Sequence, residues 1–359
     1  MREFVQTVIE PRANHYDQTG SFVKENVSAL AERGYLGIPW PRDLGGLGYD
    51  HLAYALAVEE VSRACASTGL TLAAHTSLGT YPIYKFGTEE QKRKFIPPLA
   101  RGEYLGAFGL TEPNAGSDAS GIETSARKTA NGYILNGSKR FITNAGYAGT
   151  VIVAATLDRK LGRKGVTCFI VETKSKGFIV AREENKLGLK GSNTVELAFE
   201  DLFVPEENLL GKEYDGYRIF METLDGGRIS IGAFCLGMAQ AALDSLTAWA
   251  KTKEISQQTA KAIADVAMEV EAARLLVYDA AILKDKGIRA DKQCAFAKLF
   301  ASEVAVRSVS TAITTIGPLG LSTDLPLNRV YRDAKLGEIG EGTSEIMRLI
   351  IAKEVLKEV

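Results

Sequence analysis

Through the first hundred positions, apolar residues recur every three or four places, the period of helices with one buried face. SFVKENVSALAERGYLG (21–37) and DHLAYALAVEEVSRACASTGLTLAAHTSLG (50–79) carry this period, with Gly34, Gly37, PWPRDLGGLG (39–48) and Gly79 as punctuation. TEEQKRKFIPPLARGE (88–103) reads as a short helix capped by Thr88 and stopped by Pro97 and Pro98. After Glu103 the pattern changes. GYILNGSKRFITNAG (132–146) sets Asn136-Gly137 between alternating runs, a hairpin signal. GTVIVAATL, GVTCFIVET, GFIVARE and NTVELAFEDLFVP follow between turn residues, and predict strands of a compact sandwich or barrel. From about Tyr217 the helical period returns in four stretches, 229–253, 257–287, 290–317 and 344–359, which predicts an antiparallel bundle.

The expected fold is therefore α+β: an N-terminal helical domain (1–104), a middle β-sandwich or barrel domain (105–212) and a C-terminal four-helix bundle (213–359). Strands do not alternate with helices and no GxGxxG is present, which argues against a doubly wound nucleotide-binding sheet. A chain of 359 residues exceeds what one core usually supports, in line with several packed units. Net charge is −1 without a basic stripe, so nucleic acid is not an expected partner. No apolar run is read as long enough to span a bilayer. Cys65, Cys168, Cys235 and Cys294 are widely spaced and read as buried thiols in a reducing compartment, so a cytoplasmic location is expected. His15, His51 and His75 show no metal-ligand spacing, and no metal is expected.

One stretch stands out for its chemistry. GEIGEGTSEIMR (337–348) sets Glu341 between two glycines, before Thr343, Ser344 and an apolar-periodic run. Locally, Thr343 or Ser344 reads as a helix cap and Glu341 as an acid favoured by the helix dipole. Bare backbone on both sides also leaves room for something flat to approach the carboxylate.

AFGLTEPNAGSDASGI (107–122), NGSKRFITNAG (136–146) and YRDAKLGEIGEGTSEIMRLIIAKE (331–354), with FEDLFVPEENLLG and LDGGRISIGAFCLGMAQAALD, resemble the acyl-CoA dehydrogenase family over almost the whole chain. The resemblance implies FAD as cofactor, an acyl-CoA thioester as substrate and electron-transferring flavoprotein as the usual electron acceptor. It implies Glu341 as the base that removes the α-proton, with the backbone of Gly342 beside the thioester. Phe108, Leu110, Thr111, Gly116, Ser117, Phe141, Ile142, Thr143 and Thr343 would line the flavin. Ser117 and Ser192 would face CoA, and Arg228 would stand near CoA and the acid; an ordinary helix salt bridge is the competing reading for Arg228. Phe141 replaces the tryptophan common in the family, keeping an aromatic face. Gly340 replaces a bulkier residue, which widens the space beside the base.

Two departures concern a neighbour's flavin. The family's Arg-x-x-Phe-Gly stretch after the first bundle helix is missing from AWAKTKEISQQTAKAIADV, where Gln257 is the one remnant. In TTIGPLGLSTDLP, Thr314 stands at the place of a glutamine and Pro318 at that of a glycine; proline lacks an N–H and fixes φ. Two arrangements stay open: a homotetramer holding FAD by fewer contacts, or a hetero-oligomer whose paralogous subunit completes the shared site. Oxidase or monooxygenase chemistry on the same fold, and a non-catalytic assembly role, are the competing functions.

Overall fold

The computed structural model describes residues 1–357; the last two residues of the expected C-terminal helix, Glu358 and Val359, lie outside them. The N-terminal part holds α1 (Arg2–Phe4), α2 (Ala13–Thr19), α3 (Lys24–Glu32), α4 (His51–Ala64), α5 (Ala66–Ala73), α6 (Tyr81–Phe86) and α7 (Glu89–Ala100). The long stretch 50–79 is one helical path with two irregularities. Asp50 caps α4 by accepting the Ala53 N–H, and Cys65, with extended backbone, separates α4 from α5. Ala74–Thr80 then winds as a π-helix, the looser coil that frequently marks functional positions.

The prolines of α7 do not stop it. Thr88 caps the helix in a reciprocal capping box with Gln91, but Pro97 and Pro98 lie inside it and it ends at Ala100. Proline lacks a donor, not an acceptor; the Pro97 carbonyl still takes the Arg101 N–H at 3.1 Å. Leu99 and Ala100, both fully buried, carry the helix past the prolines.

The middle part contains β1 (Leu105–Gly109), β2 (Ser125–Thr129), β3 (Gly132–Thr143), β4 (Ala148–Thr156), β5 (Val166–Glu172), β6 (Phe178–Glu183), β7 (Thr194–Pro205) and β8 (Leu209–Leu210). One hydrogen-bonded path joins them in the order β6-β7-β3-β2-β4-β5-β8, with β1 parallel to β4. A single pair, Ser125 with Thr156, links the two halves of that path. The halves close on a shared core in which Val151, Val153 and Phe169 meet Leu135, Leu197 and Phe199. This is the layered arrangement a sandwich requires.

The hairpin expected at Asn136-Gly137 is absent. β3 runs straight through it, and the register shifts there against β7. The Asn136 amide binds Asp201 across the sheet at 3.0 Å and accepts the Asp201 N–H at 2.8 Å. Asn-Gly here serves a bulge; the turn itself lies between Thr129 and Gly132.

The C-terminal part is built from α8 (Gly216–Ala250), α9 (Gln257–Asp285), α10 (Asp291–Ile316), α11 (Leu327–Ala334) and α12 (Ser344–Val355). Gly226 faces Lys284 and Gly232 faces Val277, while Gln240 accepts from Arg274 at 2.7 Å, so α8 and α9 run antiparallel. Gly232 also meets Ala297, which sets α10 beside α8. Two helical stretches, 216–250 and 291–321, prove long and apolar enough to cross a membrane, against the expectation from the sequence. For α8 burial accounts for the composition, since 78% of its most apolar window is buried in the bundle; for the second stretch only 39% is buried, although α10 packs on α8, α9 and α12.

The π-helix is pinned to the sheet by backbone-to-backbone contact. A Cβ at Gly79 would lie 2.4 Å from the Gly106 carbonyl carbon in β1. Gly79→Ala should therefore force these elements apart, costing about 1–3 kcal/mol. A lowered melting temperature in a calorimetric scan checks this.

Candidate active site

Glu341 occupies the turn between the 3-10 helix Lys335–Glu338 and α12. Its φ is +53° and that of Gly342 is +100°, so a non-glycine residue is held in the left-handed region, a strained state that clusters at functional sites. Thr343 caps α12 by accepting the Ile346 N–H at 3.3 Å. Glu345, in the first turn, is the acid placed to favour the dipole. Glu341 is thus left with no capping role.

Its carboxylate rests on α8. A Cβ at Gly227 would lie 2.1 Å from Glu341 Oε2 and 3.1 Å from the Leu78 side chain of the π-helix. Oε2 is enclosed and has no hydrogen-bond partner. Burial pushes the Glu341 carboxyl up to about 7, and the nearby Lys298 and Arg228 hold it back from going further. Lys298, on α10 with no exposed surface, donates to the Gly342 carbonyl and so ties down the turn that carries the acid. Arg228 is 6% exposed; it pairs with Asp225 one turn earlier, and its Nε is unpartnered. Arg228 thus makes the i,i+3 helix salt bridge and also stands near enough to the acid to lower its pKa. No acid stands at position 226 or 227 to replace Glu341. The atoms nearest to a Cβ at Gly340 belong to Leu336, at the ordinary contact distance of 3.5 Å, so a small side chain would meet no clash there.

Apart from Thr343, which caps α12, the expected flavin-lining residues lie where β1 and the loop after it pass β3. Phe108 packs on Phe220 of α8, ring centroids 4.6 Å apart. Leu110 and Ile142 are buried. The Thr111 carbonyl accepts the Arg140 N–H at 2.9 Å. A buried ion pair, Lys139 to Glu112 at 2.6 Å, anchors the loop, and Lys139 also reaches the Leu110 carbonyl at 3.2 Å. Glu112 in turn accepts the Glu123 and Thr124 N–H groups at 2.7 and 3.0 Å. This network leaves the Thr111 and Thr143 side chains half-buried, without protein partners for their hydroxyls among the described residues. Gly116 and Ser117 are exposed, and nothing lies within 4 Å of where a Gly116 Cβ would be. Phe141 is 56% exposed at φ +59°, with Arg140 over its ring. Unspent hydroxyls beside open aromatic and backbone surface suit a flat heteroaromatic ring with a polar edge, so the residues present fit FAD. Ser192 differs: it is fully buried and its hydroxyl has no partner. It sits in a loop held on α11, where the Asp333 carboxylate accepts the Leu189 N–H.

Lys298, Leu78 and Ser77 escaped sequence reasoning. Lys298 did leave a signal: Cys294, Ala301 and Ser302, three or four residues away, share its buried face. A lysine on such a stripe needs a partner inside the fold.

An enclosed acid of raised pKa and a cradle suited to FAD are features of a flavin-dependent oxidoreductase. Three family models together match nearly the full length: acyl-CoA dehydrogenase N-terminal domain at residues 1–103, middle domain at 107–202 and C-terminal domain at 214–356. The chain belongs to the acyl-CoA dehydrogenase family, FAD-dependent oxidoreductases acting on CH–CH bonds. It is 48% identical to the probable acyl-CoA dehydrogenase YngJ of Bacillus subtilis over 365 residues, covering 99% of this chain and 96% of that protein. The butyryl-CoA dehydrogenase of Megasphaera elsdenii superposes with a TM-score of 0.97 at 42% identity, over 99% of this chain and 96% of that one. A chain of the structure described as electron transferring flavoprotein of Acidaminococcus fermentans matches with a TM-score of 0.97 at 44% identity, over the same shares.

The two departures lie together. Gly232 faces Ala297 and α8 and α10 run the same way, so the ends of these helices, Ala250 and Ile316, share one end of the bundle. Ile316 is eighteen residues beyond Lys298, roughly 27 Å along the helix. Pro318 begins the short helix Gly317–Leu321. These segments are remote from this chain's own Glu341.

Because the folded carboxyl titrates near 7 and the unfolded one near 4.5, the folded state binds the extra proton between those values. That contribution is fully present below pH 4.5 and lost as pH rises to about 7. Glu341→Gln should therefore melt higher than the unaltered chain at pH 8, with the gap closing toward pH 4.5. Melting temperatures across that range check the sign.

Proposed function

We propose that this chain oxidises the α–β bond of a short-chain acyl-CoA thioester, with Glu341 as the base that takes the α-proton. The observation that carries the reading is the enclosed, unpartnered Oε2 of Glu341 over the bare backbone of Gly227. An acid in that setting gives up part of its hydration before substrate arrives, and its pKa near 7 suits a base at neutral pH. Arg228 and Lys298 keep a usable fraction ionised and offset negative charge that develops on the thioester. The π-helix and α8 wall the acid from water on the far side. FAD, when bound, supplies the two-electron acceptor for the β-hydride. Phe108, Leu110, Thr111, Phe141, Ile142, Thr143 and Thr343 would hold its ring, with Gly116 and Ser117 toward the phosphates. Ser117, Ser192, Arg228 and Gly342 would meet the substrate, Ser192 after its loop opens. The relative named for butyryl-CoA supports a short acyl group. The relative whose structure carries the name of electron transferring flavoprotein supports that protein as the electron acceptor.

A second reading concerns assembly. Pro318, which offers no backbone N–H, and a 251–256 connection that lacks the family's Arg-x-x-Phe-Gly stretch would hold a neighbour's cofactor by fewer contacts. This favours a hetero-oligomer in which a paralogous subunit completes the shared half-site.

Anaerobic mixing of the FAD-loaded chain with butyryl-CoA should bleach the flavin band. Glu341→Gln should slow that bleaching by 10²–10⁴-fold while FAD stays bound. Unchanged bleaching by the variant would remove Glu341 as the base.

A further inference from the structure

Behind Glu341 lies a small cavity lined by Trp40, Tyr54, Ser77, Tyr81, Ile229 and Lys284, among others. It has room for roughly one water molecule. It borders the same piece of α8 as the acid: Glu341 Oε2 lies against Gly227, and Lys284 Nζ lies against its neighbour Gly226, where a Cβ would be 2.1 Å away. Ser77 is next in sequence to Leu78, the residue that shares Gly227 with Glu341. On the proposed function, an acyl tail that displaced Leu78 from its place against Gly227 would meet this cavity next.

Two of the groups lining the cavity, Lys284 and Trp40, have no hydrogen-bond acceptor among the described residues. Lys284 comes from α9, and its ammonium lies 4.1 Å from the centre of the Tyr81 ring. Among the described residues it has no carboxylate partner within ion-pair distance. Trp40 is 2% exposed and its Nε1–H has no acceptor. The other polar groups are already engaged: Tyr54 donates to the Ala73 carbonyl at 3.0 Å, Ser77 to the same carbonyl at 2.7 Å, and His51 meets Asp285 at 2.7 Å. Two donors without acceptors beside a water-sized space suit one bound water.

We propose that Lys284 is the residue that limits acyl length, closing the tail path with an ammonium that a hydrocarbon tail cannot solvate. A tail long enough to reach the cavity displaces the water space and leaves the Lys284 and Trp40 donors against hydrocarbon, which is costly. A short tail ends before them. Gly226 is part of the device, because any side chain there would push Lys284 out of the path.

The inference rests on the proposed thioester site, and the test separates the two. The FAD-loaded full-length chain is assayed with butyryl-, hexanoyl-, octanoyl- and glutaryl-CoA, and kcat/KM is compared with that of Lys284→Ala and Lys284→Met. The octanoyl-to-butyryl ratio should rise at least tenfold in Lys284→Ala. It should rise at least threefold in Lys284→Met, which keeps the length and removes the charge and so decides the matter if the alanine variant does not fold. A ratio within threefold of the unaltered chain in every variant that retains FAD overturns the inference and leaves the proposed function standing. A glutaryl-CoA preference lost in Lys284→Met also overturns it, because Lys284 would then be a ligand for an anionic tail. Failure of the unaltered chain to oxidise any of the four thioesters overturns the proposed function and this inference with it.

Discussion

The constraint on which the site depends is the contact between the Glu341 carboxylate and the backbone of α8. One carboxylate oxygen lies where a side chain at Gly227 would be. That contact requires a glycine in the middle of a 35-residue helix, at a cost in helix propensity of roughly 1 kcal/mol. It also requires Glu341 at positive φ and a lysine buried in α10 to hold the turn. Each is unfavourable taken alone, and together they set an acid with little solvation against a wall of backbone. The raised pKa follows from that enclosure more than from any charge, since both neighbouring charges are cations that lower it.

The three parts of the fold supply the rest by direct contact. The N-terminal part presents the π-helix, and the Gly79–Gly106 approach fixes it to β1. The middle part extends β1 into the Thr111 loop, which the buried Glu112–Lys139 pair holds against β3. An ion pair of that kind is weak support for stability. Its geometric effect is clearer, because one carboxylate gathers two backbone N–H groups and a lysine at the base of the loop. The C-terminal bundle contributes the acid, its glycine seat and its cations.

Much of this was legible in the sequence because long periodic stretches and specific motifs coincide. The helical, strand, helical order followed from a period that changes twice, and the motif around Glu341 singled out the acid. Local signals failed where tertiary contacts overrode them. Pro97 and Pro98 read as a stop, yet burial of Leu99 and Ala100 continued the helix. Asn136-Gly137 read as a turn, yet Asp201 across the sheet engaged the asparagine in a bulge. The length and apolarity of α8 and α10 exceed the expectation; for α8 this is the composition of a core helix, with 78% of its most apolar window buried. Lys298 left only the signal of a lysine on a buried helix stripe, and Lys284 left none, since the contacts that give each its place come from a carbonyl or a glycine on a distant element.

The most direct test of the central claim is the pH dependence of the second-order rate of flavin reduction by a short acyl-CoA, measured anaerobically in the FAD-loaded chain. An acid held near 7 by enclosure predicts a rate that falls about tenfold per pH unit below that value and levels above it. A profile that stays flat from pH 5.5 to 9 would contradict the assignment of Glu341 as an enclosed base.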